Sequence, residues 1–418
     1  MQVTQQSELS LPKDRIRILL LENVNQSAVD LFTGSGYTNI QRLTKALDGD
    51  DLIAALKGVH ILGIRSRTQL TQDIFARADR LMAVGCFSVG TNQVELDAAR
   101  RRGIPVFNAP FSNTRSVAEL TIGEIVMLLR RVLPRSFSAH EGGWDKSADG
   151  SREVRGRTLG IVGYGNIGSQ LSMLAEAMGM RVIYYDHTDK LRHGNSEQME
   201  SLQSLLAQSD IVSLHVPETP ATANMIGRDE IRSMQKGAYL INNSRGTVVD
   251  LAALAEALAD GHLAGAAVDV FPVEPSSNSE RFVSPLQGLP NVILTPHIGG
   301  STEEAQDRIG REVARKVIDY SDAGSTMGAV NFPQVQLPLR STGTRFLHVH
   351  RNVPGVLRRL NEVFLLQDIN ITAQYLQTDS EIGYVVLDTE HLGPTARDLL
   401  DEIRSLDGTV RARIVYDH

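Results

Sequence analysis

At 418 residues the chain has room for two to three domains, each large enough to bury its own core. A net charge of −7 speaks against a general binder of nucleic acid or acidic membrane, and no apolar run reaches the length of a membrane span. Met1–Lys13 is polar and lacks the apolar stretch of a secretory leader; a single cysteine, Cys86, cannot form an internal disulfide and fits a reducing cytoplasm.

Taken in chain order, Ile16–Leu21 is a short apolar run, and Ser27–Leu31 and Asp50–Leu56 carry helical spacing. Val59–Ile64 reads as a buried strand, Thr71–Ala78 as a helix, Leu81–Phe87 as a strand with Cys86 as a small buried hydrophobe, Val94–Arg102 as a helix and Ile104–Phe107 as a strand. This alternation implies an open parallel α/β sheet. Ser116–Leu133 is a long apolar-rich helix, either crossing between lobes or subunits or a plain core helix. The polar stretch Ala139–Arg155 holds the only tryptophan, Trp144, for which a subunit contact is one explanation.

A strand over Thr158–Val162 then breaks at Gly163-Tyr164-Gly165-Asn166-Ile167-Gly168. A helical face of Leu171, Leu174, Ala175 and Met178 follows, then a strand over Arg181–Tyr185 ending at Asp186. In such a βαβ unit the first glycine permits a tight turn, the second lets a pyrophosphate approach the backbone, and the third lets helix and strand pack closely. The helix N-terminus offers free N–H groups to phosphates, and Asp186 can accept hydrogen bonds from a ribose diol while repelling a 2′-phosphate; His187 and Lys190 lie nearby. The chain therefore binds a dinucleotide, with NAD preferred.

The alternation continues through helix Leu202–Leu206, strand Ile211–Val216, helix Glu230–Met234, strand Ala238–Asn242, helix Leu251–Ala259 and strands Ala266–Val270 and Val292–Thr295, which completes a doubly wound domain. Helix Ser301–Tyr320, opened by a serine and two acids, carries the chain back, so the dinucleotide domain is an insertion in a split partner domain. Ser321–Thr344 reads as a linker. Beyond it the order is strand Phe346–His350, helix Val356–Leu366, strands Ile369–Leu376 and Ile382–Leu387, helix Ala396–Leu406 and strand Val410–Val415, the ferredoxin-like βαββαβ layout.

Three polar residues follow successive strands of the dinucleotide domain, where ligands of open α/β sheets bind: Arg245, Glu274 and His297. Oxidation of a 2-hydroxy acid needs a base for the hydroxyl proton and a cation for the carboxylate. Histidine suits the first because it titrates near neutrality, and the planar fork of arginine suits the second. A neighbouring glutamate favours the imidazolium. Asp269 either binds the nicotinamide carboxamide or caps its turn.

GYGNIG with Asp186, SLHVPETPATANMI, LINNSRGTVVD, GAAVDVFPVEP and LTPHIGGST, in this order, resemble the D-isomer-specific 2-hydroxyacid dehydrogenase family over nearly the whole chain. GIRSRTQLT, VGCFSVGTNQVELDAARRRGIPVFNAPFSNTRSVAEL and the last module are similar to the short, serine-regulated members that oxidise 3-phospho-D-glycerate. The resemblance implies an α/β fold with a Rossmann domain inserted in a flavodoxin-like substrate domain, and a C-terminal ACT module. Its boundaries are 1–112 and 302–340 for the substrate domain, 113–301 for the NAD domain and 341–418 for the ACT module.

The resemblance also implies roles. Arg245 holds the substrate carboxylate, Glu274 and His297 form the acid/base pair, and NAD is held by Gly163, Tyr164, Gly165, Asn166, Ile167, Gly168, Asp186, Asp269 and His297. A phosphorylated substrate requires cations in the first lobe, for which Arg65 and Arg67, with Ser66 between them and Asn113 nearby, are the candidates; by resemblance Lys146 reaches in from a neighbouring subunit, the alternative being a surface lysine. Lys45 lies where a strand would point it away. His350, Asn352 and Asn370 bind L-serine as an effector. The implied product is 3-phosphohydroxypyruvate, 2-oxoglutarate is a further substrate, and the assembly is a homo-tetramer without nucleic-acid or membrane partners and without a metal. The alternatives are a dehydrogenase for another D-2-hydroxy acid and a non-catalytic NAD-sensing interaction protein. Ser341-Thr342-Gly343-Thr344 stands where the family has a double-glycine hinge.

Overall fold

A computed structural model of the chain describes residues 10–275, 280–337 and 343–415. The chain divides into two compact units, 1–112 with 306–418, and 113–305.

The first unit begins with a parallel sheet of β1 (Ile18–Leu20), β2 (Ile40–Arg42), β3 (Ile61–Ile64), β4 (Ala83–Cys86) and β5 (Val106–Phe107), in the order β2-β1-β3-β4-β5. Strands β1, β3, β4 and β5 are buried on both faces, which is why they read as continuous apolar runs. Strand β2, Ile40-Gln41-Arg42, is an edge strand with no apolar run to betray it.

The second unit holds a seven-stranded parallel sheet of β6 (Thr158–Val162), β7 (Arg181–Tyr185), β8 (Glu197–Gln198), β9 (Ile211–Leu214), β10 (Ala238–Asn242), β11 (Leu263–Val268) and β12 (Val292–Leu294), ordered β12-β11-β10-β9-β6-β7-β8. The strand order reverses between β6 and β9, the switch point at which open sheets of this kind bind ligands. Helix Thr114–Leu129 packs Ala118, Ile125, Leu128 and Leu129 on this sheet. It is thus a core helix of its own unit. The single long helix expected over Ser116–Leu133 is broken: Arg131 takes φ 53°, and a separate helix, Val132–His140, follows. Pro134, in the first turn of the second helix, lacks the N–H that would continue the first helix by bonding Arg130 O.

After the second unit, helix Glu303–Ala323 returns to the first, where Ile309, Val313, Val317 and Tyr320 enter its core. The last strands, β13 (Thr344–Arg351), β14 (Ile371–Thr378), β15 (Ile382–Thr389) and β16 (Thr409–Ile414), form an antiparallel sheet ordered β14-β15-β13-β16. Its two faces follow the strand period of two. Phe346, Val385, Leu387 and Ile414 pack with Leu360, Phe364, Leu399 and Ile403 of the module's own helices. Leu347, Val349, Tyr384, Val386 and Val415 pack into the same core as helix Glu303–Ala323.

The reading of Ser321–Thr344 as a linker therefore needs correction. Thr326, Asn331, Phe332 and Val335 are buried, and Asn331 donates its amide to Ile104 O at 3.0 Å. Ser341 and Thr342, of the expected hinge, lie outside the described residues. The free carbonyls at the end of helix Glu303–Ala323 are taken by cations of the β-sheet. Arg413 donates to Tyr320 O at 2.5 Å and Ser321 O at 3.2 Å, and Arg345 donates to Ala323 O at 3.2 Å. Arg345 is itself buried and makes a two-pronged pair with Asp388, both arms at 2.6 Å.

Breaking that pair from one side leaves a largely buried carboxylate alone. Arg345→Met is expected to lower unfolding stability by about 3–5 kcal/mol, and the double change Arg345→Met, Asp388→Leu to recover most of it. Urea unfolding of the three proteins measures this; equal losses in single and double variants would remove the pair from its role.

Candidate active site

The glycine turn after β6 has the expected mechanics. Gly163 takes φ 92°, and a Cβ there would lie 2.6 Å from His215 O. A Cβ on Gly168 would collide with Gly163 O, so this glycine sets the closeness of helix Asn166–Ala177 to the turn. Gly165, the N-cap, has open space where its side chain would be, leaving the N–H groups of Asn166, Ile167 and Gly168 approachable by a phosphate. These residues fit a dinucleotide.

Asp186 closes the turn from the end of β7. Its Oδ2 accepts the Tyr164 N–H at 2.9 Å, and its Oδ1 accepts the Thr188 N–H and hydroxyl, each at 3.1 Å. His187 and Lys190 lie 3.2 and 3.9 Å from the same carboxylate. The Tyr164 ring points the other way: it is buried, stacked on Tyr184 at 3.7 Å between centroids, with its hydroxyl on Ser172 and Ser196.

Glu274 and His297, 23 residues apart in sequence, meet directly. His297 Nδ1 lies 2.9 Å from Oε2 and 3.1 Å from Oε1 of Glu274. Nδ1 therefore carries the hydrogen it donates to the carboxylate, and Nε2 is the ring nitrogen left to accept a proton. Glu274 is anchored in turn by the Phe271 N–H at 3.1 Å. The hydrogen bond from Glu274 pushes the His297 imidazole up from its ordinary value, against the opposing effect of burial. Burial pushes the Glu274 carboxyl up, but the hydrogen bond and charge of His297 outweigh it and the net shift is downward. Arg245 acts electrostatically on both members.

Arg245 follows β10 in a loop held by Asn242, whose Oδ1 accepts the Ser244 N–H at 3.1 Å and whose amide donates to Arg245 O at 3.0 Å. The next residue must be glycine: a Cβ on Gly246 would collide with the backbone of Phe271 and Pro272. That close approach brings the Arg245 loop against the segment leading to Glu274.

His297 itself takes φ 54°, uncommon for a residue other than glycine. Asp269 holds it there. Its carboxylate accepts the Thr295 hydroxyl at 2.6 Å and the Ile298 and Gly299 N–H groups at 2.8 Å each, and its carbonyl accepts the His297 N–H at 2.8 Å. At 1 % exposure, Asp269 acts as a cap on the turn. Asn113, the N-cap residue of helix Thr114–Leu129, packs on Gly300 of the same turn, and its Oδ1 is buried without a partner.

Arg65, Ser66 and Arg67 belong to the other unit, in the loop after β3. Sequence reading missed what shapes that loop. Glu22, buried and at φ 59°, accepts the N–H groups of Arg65, Arg67 and Thr68 at 3.2, 3.0 and 2.9 Å. Gln93 holds the Arg65 carbonyl from the other side. A lone acid after an apolar strand carries no signal for this. Burial draws the Arg65 guanidinium down from its ordinary value. Lys45 is exposed and lies beyond the end of β2, so the strand-facing argument against it does not apply. Lys146 is exposed, as is Trp144. Of the residues expected to bind serine, Asn352 and Asn370 are exposed, while the His350 ring is buried beneath Gly383 with Nδ1 on Arg351 O at 2.8 Å. Asn352 donates its amide to Asp379 O at 2.7 Å.

A family model described as D-isomer specific 2-hydroxyacid dehydrogenase, NAD binding domain, matches residues 122–299, and one described as AHAS small subunit-like ACT domain matches residues 346–411. The chain is 57 % identical to the D-3-phosphoglycerate dehydrogenase of Haemophilus influenzae over 410 residues, covering 98 % of this chain and 100 % of the relative. It is 56 % identical to that of Escherichia coli K12 over the same length, with the same coverage. Among solved structures, the D-lactate dehydrogenase of Aquifex aeolicus, complexed with NAD and lactic acid, superposes with a TM-score of 0.67 at 29 % identity, covering 76 % of this chain and 100 % of that one. Fold and comparisons together define an NAD-dependent D-2-hydroxyacid dehydrogenase. Within that class the chain belongs to the D-3-phosphoglycerate dehydrogenase family.

Removing the charge of Glu274 tests the pair. In Glu274→Gln the His297 imidazole is expected to titrate at lower pH than in the parent, because its charged hydrogen-bond partner is gone. Histidine NMR titration reads this; an unmoved His297 would show that the pair does not govern its protonation.

Proposed function

We propose that the chain oxidises 3-phospho-D-glycerate to 3-phosphohydroxypyruvate with NAD, the first step toward L-serine. The observation that carries the reading is the Glu274–His297 pair at 2.9 Å, with Arg245 acting on both. Bound NAD supplies the hydride acceptor. Arg245 offers a planar fork to the substrate carboxylate, which sets the C2 hydroxyl at His297. His297 Nε2 takes the hydroxyl proton as C2 is oxidised, and Glu274 stabilises the imidazolium that results. In the reverse direction the same imidazolium returns the proton, so reduction of a 2-oxo acid such as 2-oxoglutarate uses the same groups.

The names of relatives 56–57 % identical from end to end support the phosphorylated substrate. Arg65 and Arg67 are the cations that suit its phosphate, on a loop shaped by Glu22. Lys146 is assigned to the substrate of a neighbouring subunit in a homo-tetramer. Phe137 and Trp144, 69 % and 84 % exposed in the single chain, support such assembly, since large aromatic surface of this kind is usually covered. Asn352, Asn370 and His350 are assigned to L-serine as a feedback inhibitor, consistent with the ACT match. The buried free thiol of Cys86 suits a reducing cytoplasm.

Steady-state NADH formation with 3-phosphoglycerate, D-glycerate and D-lactate tests the substrate: the first is expected to be strongly preferred, and equal turnover of unphosphorylated glycerate would sink the assignment. His297→Ala is expected to lower kcat by about 10²–10⁴-fold while NADH binding survives. For regulation, serine is expected to depress the rate of the parent and to lose that effect in Asn352→Ala; an unresponsive parent would leave the ACT module without this role.

A further inference from the structure

Glu124 lies in helix Thr114–Leu129 with its side chain wholly buried. A carboxyl in such a place is ordinarily paired with a cation. Here its partner is neutral: the Asn243 amide, 2.6 Å from Oε2. Oε1 has no hydrogen-bond partner, and neither has Asn243 Oδ1. The same amide meets the Thr121 hydroxyl at 3.0 Å, and that hydroxyl donates to Val117 O at 2.8 Å. The charged group that acts on Glu124 is Asp269 at the end of β11, another anion. Burial first, and then that repulsion, push the Glu124 carboxyl up to about 7, with the Asn243 hydrogen bond opposing them.

What Glu124 holds is the Arg245 loop. Asn243 follows the last residue of β10 and stands two positions before Arg245. Its flanking residues are bound into one network: Ser244 bonds Asn242, and the Asn242 amide bonds Arg245 O. Asp269, the anion facing Glu124, donates its own N–H to Asn242 O at 3.0 Å and carries the His297 turn. One buried carboxyl thus adjoins the supports of both groups that meet the substrate.

The proton decides how this junction is made. An ionised Glu124 accepts the Asn243 N–H. A protonated Glu124 has an O–H to donate, which the Asn243 oxygen accepts once the amide turns over; 2.6 Å is short for the first arrangement and within the ordinary range for the second. We propose that Glu124 is a positioning residue for the dehydrogenase, setting the Arg245 loop through Asn243 according to whether it carries a proton. This rests on the activity proposed above, with Arg245 as the group that holds the substrate carboxylate. The neutral form removes the repulsion with Asp269 and holds the loop in its binding arrangement; ionisation loosens it.

The test measures binding of 3-phosphoglycerate to the NADH-loaded full chain by calorimetry, from about pH 6 to about pH 9, in the parent, Glu124→Gln and Glu124→Asp. In the parent the dissociation constant is expected to rise by roughly fivefold across neutrality beyond any change in Glu124→Gln, which cannot ionise. Glu124→Asp, which can, is expected to keep a pH-dependent step. Identical curves for the parent and Glu124→Gln overturn the proposal.

Thermal midpoints without substrate provide a readout independent of activity. The native carboxyl is raised above that of the unfolded chain, so the native state binds more protons between the two values. Its contribution to stability is full at low pH, falls as pH rises to about 7, and is level above. The Glu124→Gln midpoint is therefore expected to gain on the parent over that window and then run parallel. That gain without a difference in binding makes Glu124 a buried acid of structural consequence only, and overturns the positioning role. If 3-phosphoglycerate is not bound, D-glycerate and D-lactate serve as carboxylate probes, so that a wrong substrate and a wrong role for Glu124 give different results.

Discussion

The carboxylate of Asp269 is the constraint on which the proposed chemistry depends. It is buried at the end of β11, and in that position an unpaired oxygen would be expensive. The nearby donors are the hydroxyl of Thr295 and the N–H groups of Ile298 and Gly299. Satisfying them folds the chain after β12 into a turn that sends His297 into the left-handed region, where it would not settle alone. From there the imidazole reaches Glu274. Hydride chemistry needs the ring in one tautomer with one nitrogen outward, and a turn fixed by three hydrogen bonds to a buried anion supplies that rigidity.

The second element of the site is made by what is absent. Gly246 has no side chain because the backbone of Phe271–Pro272 occupies the space. The loops after β10 and β11 thereby lie close enough for Arg245 to act on the Glu274–His297 pair. The same logic governs the glycine turn after β6, where Gly163 and Gly168 are crowded by backbone and Gly165 alone faces open space. The two crowded positions shape the turn, and the open one leaves the helix N-terminus accessible to phosphate.

In the other unit the return helix, Glu303–Ala323, organises the packing. Its C-terminal carbonyls would be unsatisfied in a core; Arg345 and Arg413 of the antiparallel sheet donate to them, and the Arg345–Asp388 pair keeps the added charge balanced. The antiparallel module joined in this way shares a hydrophobic core with the β1–β5 sheet.

Much was legible in the sequence. The α/β class, the dinucleotide turn, the ferredoxin-like module and the residue types Arg245, Glu274 and His297 follow from local pattern: apolar runs of strand length, helical spacing, and glycines at a turn whose flanking strand and helix are themselves readable. What local pattern could not reach are the interactions that bridge distant segments. Strand β2 has two polar residues of three and exists because β1 offers it an edge. The burial of the 325–335 segment and the capping of the Arg65 loop by Glu22 leave no periodic trace. Asp269 and Glu124 look in sequence like any acids, and their surroundings alone make one a turn cap and the other a buried carboxyl. Periodicity records which face of an element is buried; only the folded chain decides which polar group is left inside and what must move to satisfy it.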